Sequence, residues 1–315
     1  GLLTLLLASL LSFVIIQLAP GSYLDTLQQN PKISPETLKE LKIQFGLDQP
    51  WYIQYGRWLW QVVSRFNFGQ SFVYSRSVSS LLLERVPATL LLAISSIVIT
   101  WAIALPLGII SAVKQNTVLD RILRVVSYFG QGFPSFITAL VLLILAQNVS
   151  PFLPVGNMTS IDYAEFSPLR KVGDILWHMI LPTIALSITS FAGLQRLTRG
   201  QLLDVMRQDY IQTARAKGLP ENKVIYVHAL RNAINPLITL LGFEFASLLS
   251  GAFIAECFFN WPGLGRLILQ AVTAQDLYLV MGSLMMGAAM LIIGNLLADL
   301  LLKFVDPRIK LADLK

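Results

Sequence analysis

Charged side chains are scarce in this chain. They make up 13% of its 315 residues, against 55% hydrophobic residues and a mean hydropathy of +0.63, whereas a soluble domain carries roughly a quarter. The deficit is localised: Val86 to Val113, Ile175 to Gln195 and Leu277 to Ala298 hold no charge at all. About 20 apolar residues suffice for a helix to cross the hydrocarbon core of a bilayer. One cysteine, Cys257, excludes an intrachain disulfide framework. The two histidines, His178 and His228, lie in different segments, so no metal site of the His/Cys kind is expected. An HExxH pair is missing, which argues against an intramembrane metalloprotease, and a GxxxxGK[ST] loop is missing, so the chain is not itself an ATPase. No catalytic residue and no bound cofactor is expected. The net charge of +6 fits the basic loop bias of membrane proteins and does not require nucleic acid.

Uncharged length and Pro/Gly punctuation give six spans, near 1–19, 87–113, 123–147, 177–197, 233–256 and 278–303. The fold class is therefore all-α integral membrane. The first apolar run opens at Gly1 without a basic start, and Ala19-Pro20-Gly21 is a poor cleavage site. It reads as a retained spanning helix, with a few residues expected before it. Fourteen basic residues fall in short loops and the tail on one side, and three on the other. Both termini are therefore expected in the cytoplasm. The resulting domains are a first helix (1–19), an external segment (20–85), a five-helix core (86–304) and a cytoplasmic tail (305–315).

The external segment has its own helices. Ser34-Pro35-Glu36 supplies a capping hydroxyl, a first-turn proline and an acid at the positive helix end, with Leu38, Leu41 and Phe45 following and Gly46 closing the run. From Tyr52 to Phe68, Tyr55, Trp58, Leu59, Val62 and Phe66 share one face. That face fits either the membrane–water boundary or the interior of a small packed cap.

Glu244 and Asp299 fall within spans, where ionisable groups are costly and face a cavity or a partner. Glu244 is a candidate pore-lining residue, and a hydrogen-bonded packing role is the alternative. Asp299 can pair with Lys303 one turn on. Gly242, Ala246 and Ser250, and Gly294 and Ala298, are spaced for close helix contact. Trp261-Pro262-Gly263-Leu264-Gly265 predicts a tight, non-helical external turn at the pore mouth, with Trp261 as interfacial anchor.

The most informative segment is the basic loop at 198–235. Residues up to Lys217 favour helix, Gly218 suits the position just past a helix end, and Pro220 prevents continuation. A second helix resumes at Glu221. The expected result is a helix–turn–helix with an elbow at Gly218, a shape suited to a groove on a soluble partner.

At this loop the chain resembles the permease subunits of bacterial type I ABC importers, in the dipeptide, oligopeptide and nickel branch. The resemblance is to the family's cytoplasmic EAA loop, carried by Asp209-Tyr210, by Thr213-Ala214-Arg215-Ala216-Lys217-Gly218-Leu219-Pro220, and by His228 to Ala233. Gln212, Thr213 and Ala214 stand where the general form has Glu-Ala-Ala, and the later proline is delayed to Pro236. Further matches run in order along the chain: Leu18 to Gly21, Phe45 to Pro50, Phe68 to Ser71, Glu84 to Thr89, Leu153 to Gly156, Phe259 to Gly265 and Asp306 to Ile309. The resemblance implies a type I core behind an added first helix and external segment. It implies a heterodimer with a paralogous permease, two ATPase subunits that hold ATP and Mg, and an extracytoplasmic solute-binding protein. Peptides are the expected cargo, with nickel or glutathione-like solutes as the alternative. A secondary transporter or channel would show inverted repeats or broken helices around a midplane site, and no repeat is evident.

Overall fold

Where the sequence runs uncharged, the backbone is helical. The computed structural model describes residues 1–18, 21, 23–28, 34–149 and 153–305. Apart from one isolated bridge between Gln70 and Ser77, the described residues form helices, turns and loops. The expected tail at 305–315, with Asp306 to Ile309, lies outside them beyond Val305, as do Ala19 and Pro20. The chain divides into two units, residues 1–89 with 262–292, and residues 90–261 with 293–315.

The first unit holds α1 (Leu2–Leu18), α2 (Tyr23–Gln28), α3 (Pro35–Gln44), α4 (Trp51–Arg65), the first turns of α5 (Val78–Val113), and two later elements, a short helix at Leu264–Thr273 and the start of the last helix at Leu277–Val305. Ser34 caps α3 by accepting from the Thr37 amide at 3.2 Å, and Gly46 follows its end at φ +66°. Phe13, Trp58, Val62, Phe72, Leu277 and Met281 form the core of the unit. Trp58 Nε1 donates to the Phe68 carbonyl (3.1 Å) and Tyr278 Oη to that of Phe45 (2.7 Å), which closes the cap around its aromatic centre. Asp276 is fully buried just ahead of the last helix. It accepts from Ser71 Oγ at 2.6 Å and from the Val73 and Leu279 amides, tying residues 70–77 to that helix start. Burial pushes the Asp276 carboxyl above its ordinary value, and these hydrogen bonds oppose the rise. The apolar face expected on α4 is thus largely interior: Trp58 is 3% and Val62 5% exposed. Phe66 departs from it, because it ends α4 at φ 50° and turns outward.

The second unit holds the rest of α5, then α6 (Val118–Gly132), α7 (Ser135–Val149), α8 (Pro168–Met206), α9 (Asp209–Ala216), α10 (Glu221–Ala233) and α11 (Asn235–Phe258). The short helix at Leu264–Thr273 is α12 and the last helix, Leu277–Val305, is α13. By length and apolar composition, α5, α8 and α13 are each spanning helices. Two bent pairs, α6 with α7 and α10 with the start of α11, pass the same test only when taken together, which brings the number among the described residues to at most five, and α1 and α12 are shorter apolar helices.

The third span corrects the sequence reading. Instead of one helix over 123–147, α6 and α7 meet at 101°. The cause is Pro134: it lacks an amide hydrogen, and its ring forces Phe133 out of helical geometry to φ −97°, ψ 127°.

Helix α8 contacts α5 and α6 through short side chains. Gly130 of α6 meets Ala192, and Ser127 Oγ donates to buried Gln195 Oε1 at 2.7 Å. On α5, a Cβ at Gly108 would lie 2.6 Å from Thr198 Cβ and 2.9 Å from the Gln195 carbonyl. Since a backbone atom cannot move aside cheaply, Gly108→Ala is expected to cost about 1–3 kcal/mol. The check is thermal unfolding of the purified protein in detergent; an unchanged midpoint would mean that α5 and α8 are not in contact there.

Candidate functional site: the two-armed basic loop

The basic segment folds as two arms on the ends of α5 and α8. Asp209 opens α9, with its carbonyl accepting from Thr213 Oγ1 at 2.9 Å. Ile211 and Ala214 lie on the buried face, while Gln212, Thr213, Ala216 and Lys217 face outward. They pack with Ile109 and Ala112 of α5, Leu202 and Leu203 of α8, and Val224, Ile225, Ala229 and Ala233 of the second arm. The arm residues 224 and 229 are five apart, a spacing an α-helix would place on different faces. Val224–Ala229 solves this by winding as a π-helix, the wider turn in which residues four to five apart share a face.

Between the arms is the elbow. Lys217 caps α9, Gly218 follows at φ +75°, and Pro220 precedes the first turn of α10. No atom lies within 4 Å of where a Gly218 Cβ would be, so glycine is required there by its backbone angle alone. The Gly218 amide donates to Arg215 O at 2.9 Å and the Leu219 amide reaches Ala214 O at 3.4 Å. The arms are also bridged by side chains. Arg215 makes a two-point contact with Glu221 (Nη2 to Oε1 2.7 Å, Nε to Oε2 3.2 Å), and Asn232 Nδ2 donates to Tyr210 Oη at 3.0 Å. Arg215 holds the Glu221 carboxyl below its ordinary value. The charge of Arg215 is thus used across the elbow. Lys217 remains exposed beside Gly218.

Below the arms lies a polar cluster that the sequence reading missed. Asp120, fully buried, accepts from Arg199 Nε at 2.7 Å and Nη2 at 2.9 Å, from Ser111 Oγ at 2.5 Å and from the Asn116 amide at 2.9 Å. Arg124 stands 3.7 Å away. One carboxylate thereby joins the ends of α5, α6 and α8. Its sequence signal was slight, an acid at the third position of a helix capped by Thr117.

Other sequence candidates lie apart from the loop. Glu244 of α11 accepts from Trp101 Nε1 at 2.9 Å and is half-buried, keeping part of its surface open. The side chains of Gly242, Ala246, Ser250 and Ala298 fall outside the described residues. An Asp299–Lys303 pair is absent from the ion pairs of the described residues. The turn after α11 is tight, with Asn260 at φ 53° and Gly156 packed on the Phe259 carbonyl. It differs from expectation in two ways. Trp261 is buried, not an interfacial anchor, and Gly265 lies inside α12, so the non-helical stretch ends at extended Gly263. The amphipathic α12 itself was not foreseen, because ten residues in a short connection carry too little pattern. His178 is buried within α8, with Nδ1 2.8 Å from the Asp174 carbonyl.

Three to five apolar spans, with a folded basic loop packed on the ends of α5 and α8, define a multi-pass membrane protein. Residues 104–311 match the family described as binding-protein-dependent transport system inner membrane component, and residues 1–93 match the N-terminal region of such membrane components. The chain is 38% identical to the oligopeptide transport system permease protein AppB of Bacillus subtilis over 96% of its length and 94% of that protein. It is 35% identical to the dipeptide transport system permease protein DppB of Escherichia coli K12, covering 96% and 94%. The fold resembles a chain of the MetNI methionine ABC transporter, solved in inward-facing conformations, with a TM-score of 0.55 at 16% identity, over 72% of this chain and 97% of that one. The chain belongs to the family of binding-protein-dependent transport system inner membrane components, and is a multi-pass inner-membrane permease of the type I ABC importer class.

Proposed function

We propose that this chain is one half of the pore of an ATP-driven importer for di- or oligopeptides. In this reading it pairs with a paralogous permease, receives cargo from an extracytoplasmic solute-binding protein, and rests on two ATPase subunits that hold ATP and Mg. The peptide assignment is supported by the full-length similarity to permeases named for oligopeptide and dipeptide transport. The elbow from Thr213 to Pro220 is the element that meets an ATPase subunit. The observation that carries this role is the braced Gly218 tip, exposed on a loop whose base is packed on α5 and α8. Closure of the ATPases would then move those helix ends and switch the pore between its two openings. Glu244, with its open edge, is proposed to line the path, and the turn from Trp261 to Gly265 to lie at the outer mouth, beneath the binding protein.

Both termini are assigned to the cytoplasm by the basic excess in the short loops. Cysteines placed at exposed Glu36 and Asn222, in a Cys257→Ser background, are expected to react with an impermeant maleimide from opposite sides of the membrane. Labelling of both from outside would defeat this topology. The cargo is tested by co-expressing the chain with its neighbouring-gene subunits in lipid vesicles. ATP-dependent uptake of a labelled tripeptide, but not of nickel, is expected; nickel uptake alone would overturn the peptide assignment.

A further inference from the structure

Helix α4 has three faces, not two. At about 100° per residue, Gln54, Trp58 and Val62 fall on one stripe, and all three are buried. The exposed remainder is itself segregated. Tyr52, Val63 and Trp60, with Phe66 just past the helix end, share one sector at 60, 68, 71 and 80% exposure. Arg57, Gln61 and Ser64, all exposed, share the other. A helix surrounded by water on its open side has no physical reason to separate these groups, and a concentration of exposed apolar side chains of this size marks a surface that something apolar covers.

The depth of α4 says what that is. Tyr55 Oη lies 2.9 Å from Ser9 Oγ of α1, and the Tyr55 and Phe13 rings have centroids 5.4 Å apart. Ser9 sits nine residues before the end of α1 at Leu18, about 13 Å along the axis. Met281, in the same cluster as Trp58 and Val62, lies one turn inside α13, about 6 Å from its start. The inner stripe of α4 therefore packs on stretches of two apolar helices that lie within their spans. On the polar sector, Arg57 and Gln61 line a cavity of ≈ 480 Å³ together with Gln54, Asn67 and Gln70, so that side is the wetted one.

We propose that α4 lies in the membrane–water interface at the face where α1 ends and α13 begins. Tyr52, Trp60, Val63 and Phe66 enter the lipid, and Arg57 stands at the level of the headgroup phosphates. Tryptophan and tyrosine favour this boundary, and a helix lying in it buries its apolar side about 5–10 Å into the headgroup and acyl region. A lipid occupant, and not another protein, is favoured because an apolar sector rich in Trp and Tyr, bordered by a polar one that carries Arg57, reproduces the order of phases across a bilayer surface. The inference does not depend on cargo or on the ATPase contact.

A nitroxide on Val63→Cys, in a Cys257→Ser background and in the assembled importer in lipid nanodiscs, is the direct test. Its relaxation should respond to oxygen several-fold more than to a water-soluble nickel chelate, with the reverse at Gln61→Cys. Nickel access at both positions would place α4 in water and overturn the proposal. Exclusion of both reagents from Val63 would replace lipid by a protein contact, with the same result. A second measurement needs no cysteine-free background: brominated lipid should quench part of the tryptophan emission, and Trp60→Phe should reduce the quenched fraction. An unchanged quenched fraction would count against the proposal equally.

Discussion

Gly218→Val should leave the permease inserted and folded yet reduce substrate-stimulated ATP hydrolysis of the assembled complex to a small fraction of the wild-type value. The argument is entirely about backbone. At φ +75° a β-branched residue meets its own carbonyl oxygen, at a cost of roughly 1–2 kcal/mol. Nothing lies within 4 Å of the new Cβ, so no packing clash adds to it. The strain is relieved most easily by turning the tip, which loses the Gly218 and Leu219 amide bonds and misdirects the Arg215–Glu221 brace. The spans bury no part of Gly218, so insertion should be normal. Gly218→Ala should fall between, because alanine is strained there but not branched. Arg215→Ala should be mild, since an exposed pair contributes about 0–1 kcal/mol. ATP hydrolysis in lipid, measured beside the yield of co-purifying ATPase, is the readout. Wild-type levels of both in Gly218→Val would remove this loop from the coupling role.

Arg199→Ala should be the most destabilising single change. It leaves a fully buried Asp120 carboxylate with only Ser111 Oγ, the Asn116 amide and the looser 3.7 Å pair with Arg124 to face it. Breaking a buried pair in this way costs about 3–5 kcal/mol, while removing both partners is often far less harmful. The double change Asp120→Ala with Arg199→Ala should therefore recover much of the stability lost in the single one. Arg199→Lys should rescue only in part, because an ammonium cannot supply the two parallel bonds from Nε and Nη2. Thermal unfolding in detergent separates the cases. A double variant as unstable as the single one would show that the pair acts by shape and not by charge compensation.

The reach of sequence reasoning follows from the range of the forces involved. Spans were legible because desolvation acts on every residue of a long window. The elbow was legible because Gly218 and Pro220 act on their own backbone. The cap at Ser34 was local in the same sense. What escaped depends on partners remote in the chain. Asp120 and Arg199 lie 79 positions apart, and neither shows from its neighbours that it will meet the other. Trp261 looked like an interfacial residue because its burial is set by tertiary packing. On α4 the periodicity was visible, but periodicity alone could not say which apolar face goes inward when the helix has two. The break at Pro134 was readable in principle, and an uncharged run on both sides concealed it.

Helix α8 runs unbroken from Pro168 to Met206, 39 residues and about 58 Å, nearly twice the thickness of the hydrocarbon core. It has the proportions of a lever. Arg199, Leu202 and Leu203 sit at one end beneath the two arms, and Pro182 lies buried near the opposite third, where its missing amide hydrogen weakens the ladder of bonds. A tilt of about 5° over that length carries the far end through about 5 Å, comparable to one helical turn. Small displacements at the arms would thus be converted by length alone into shifts large enough to exchange one set of packed side chains for the next.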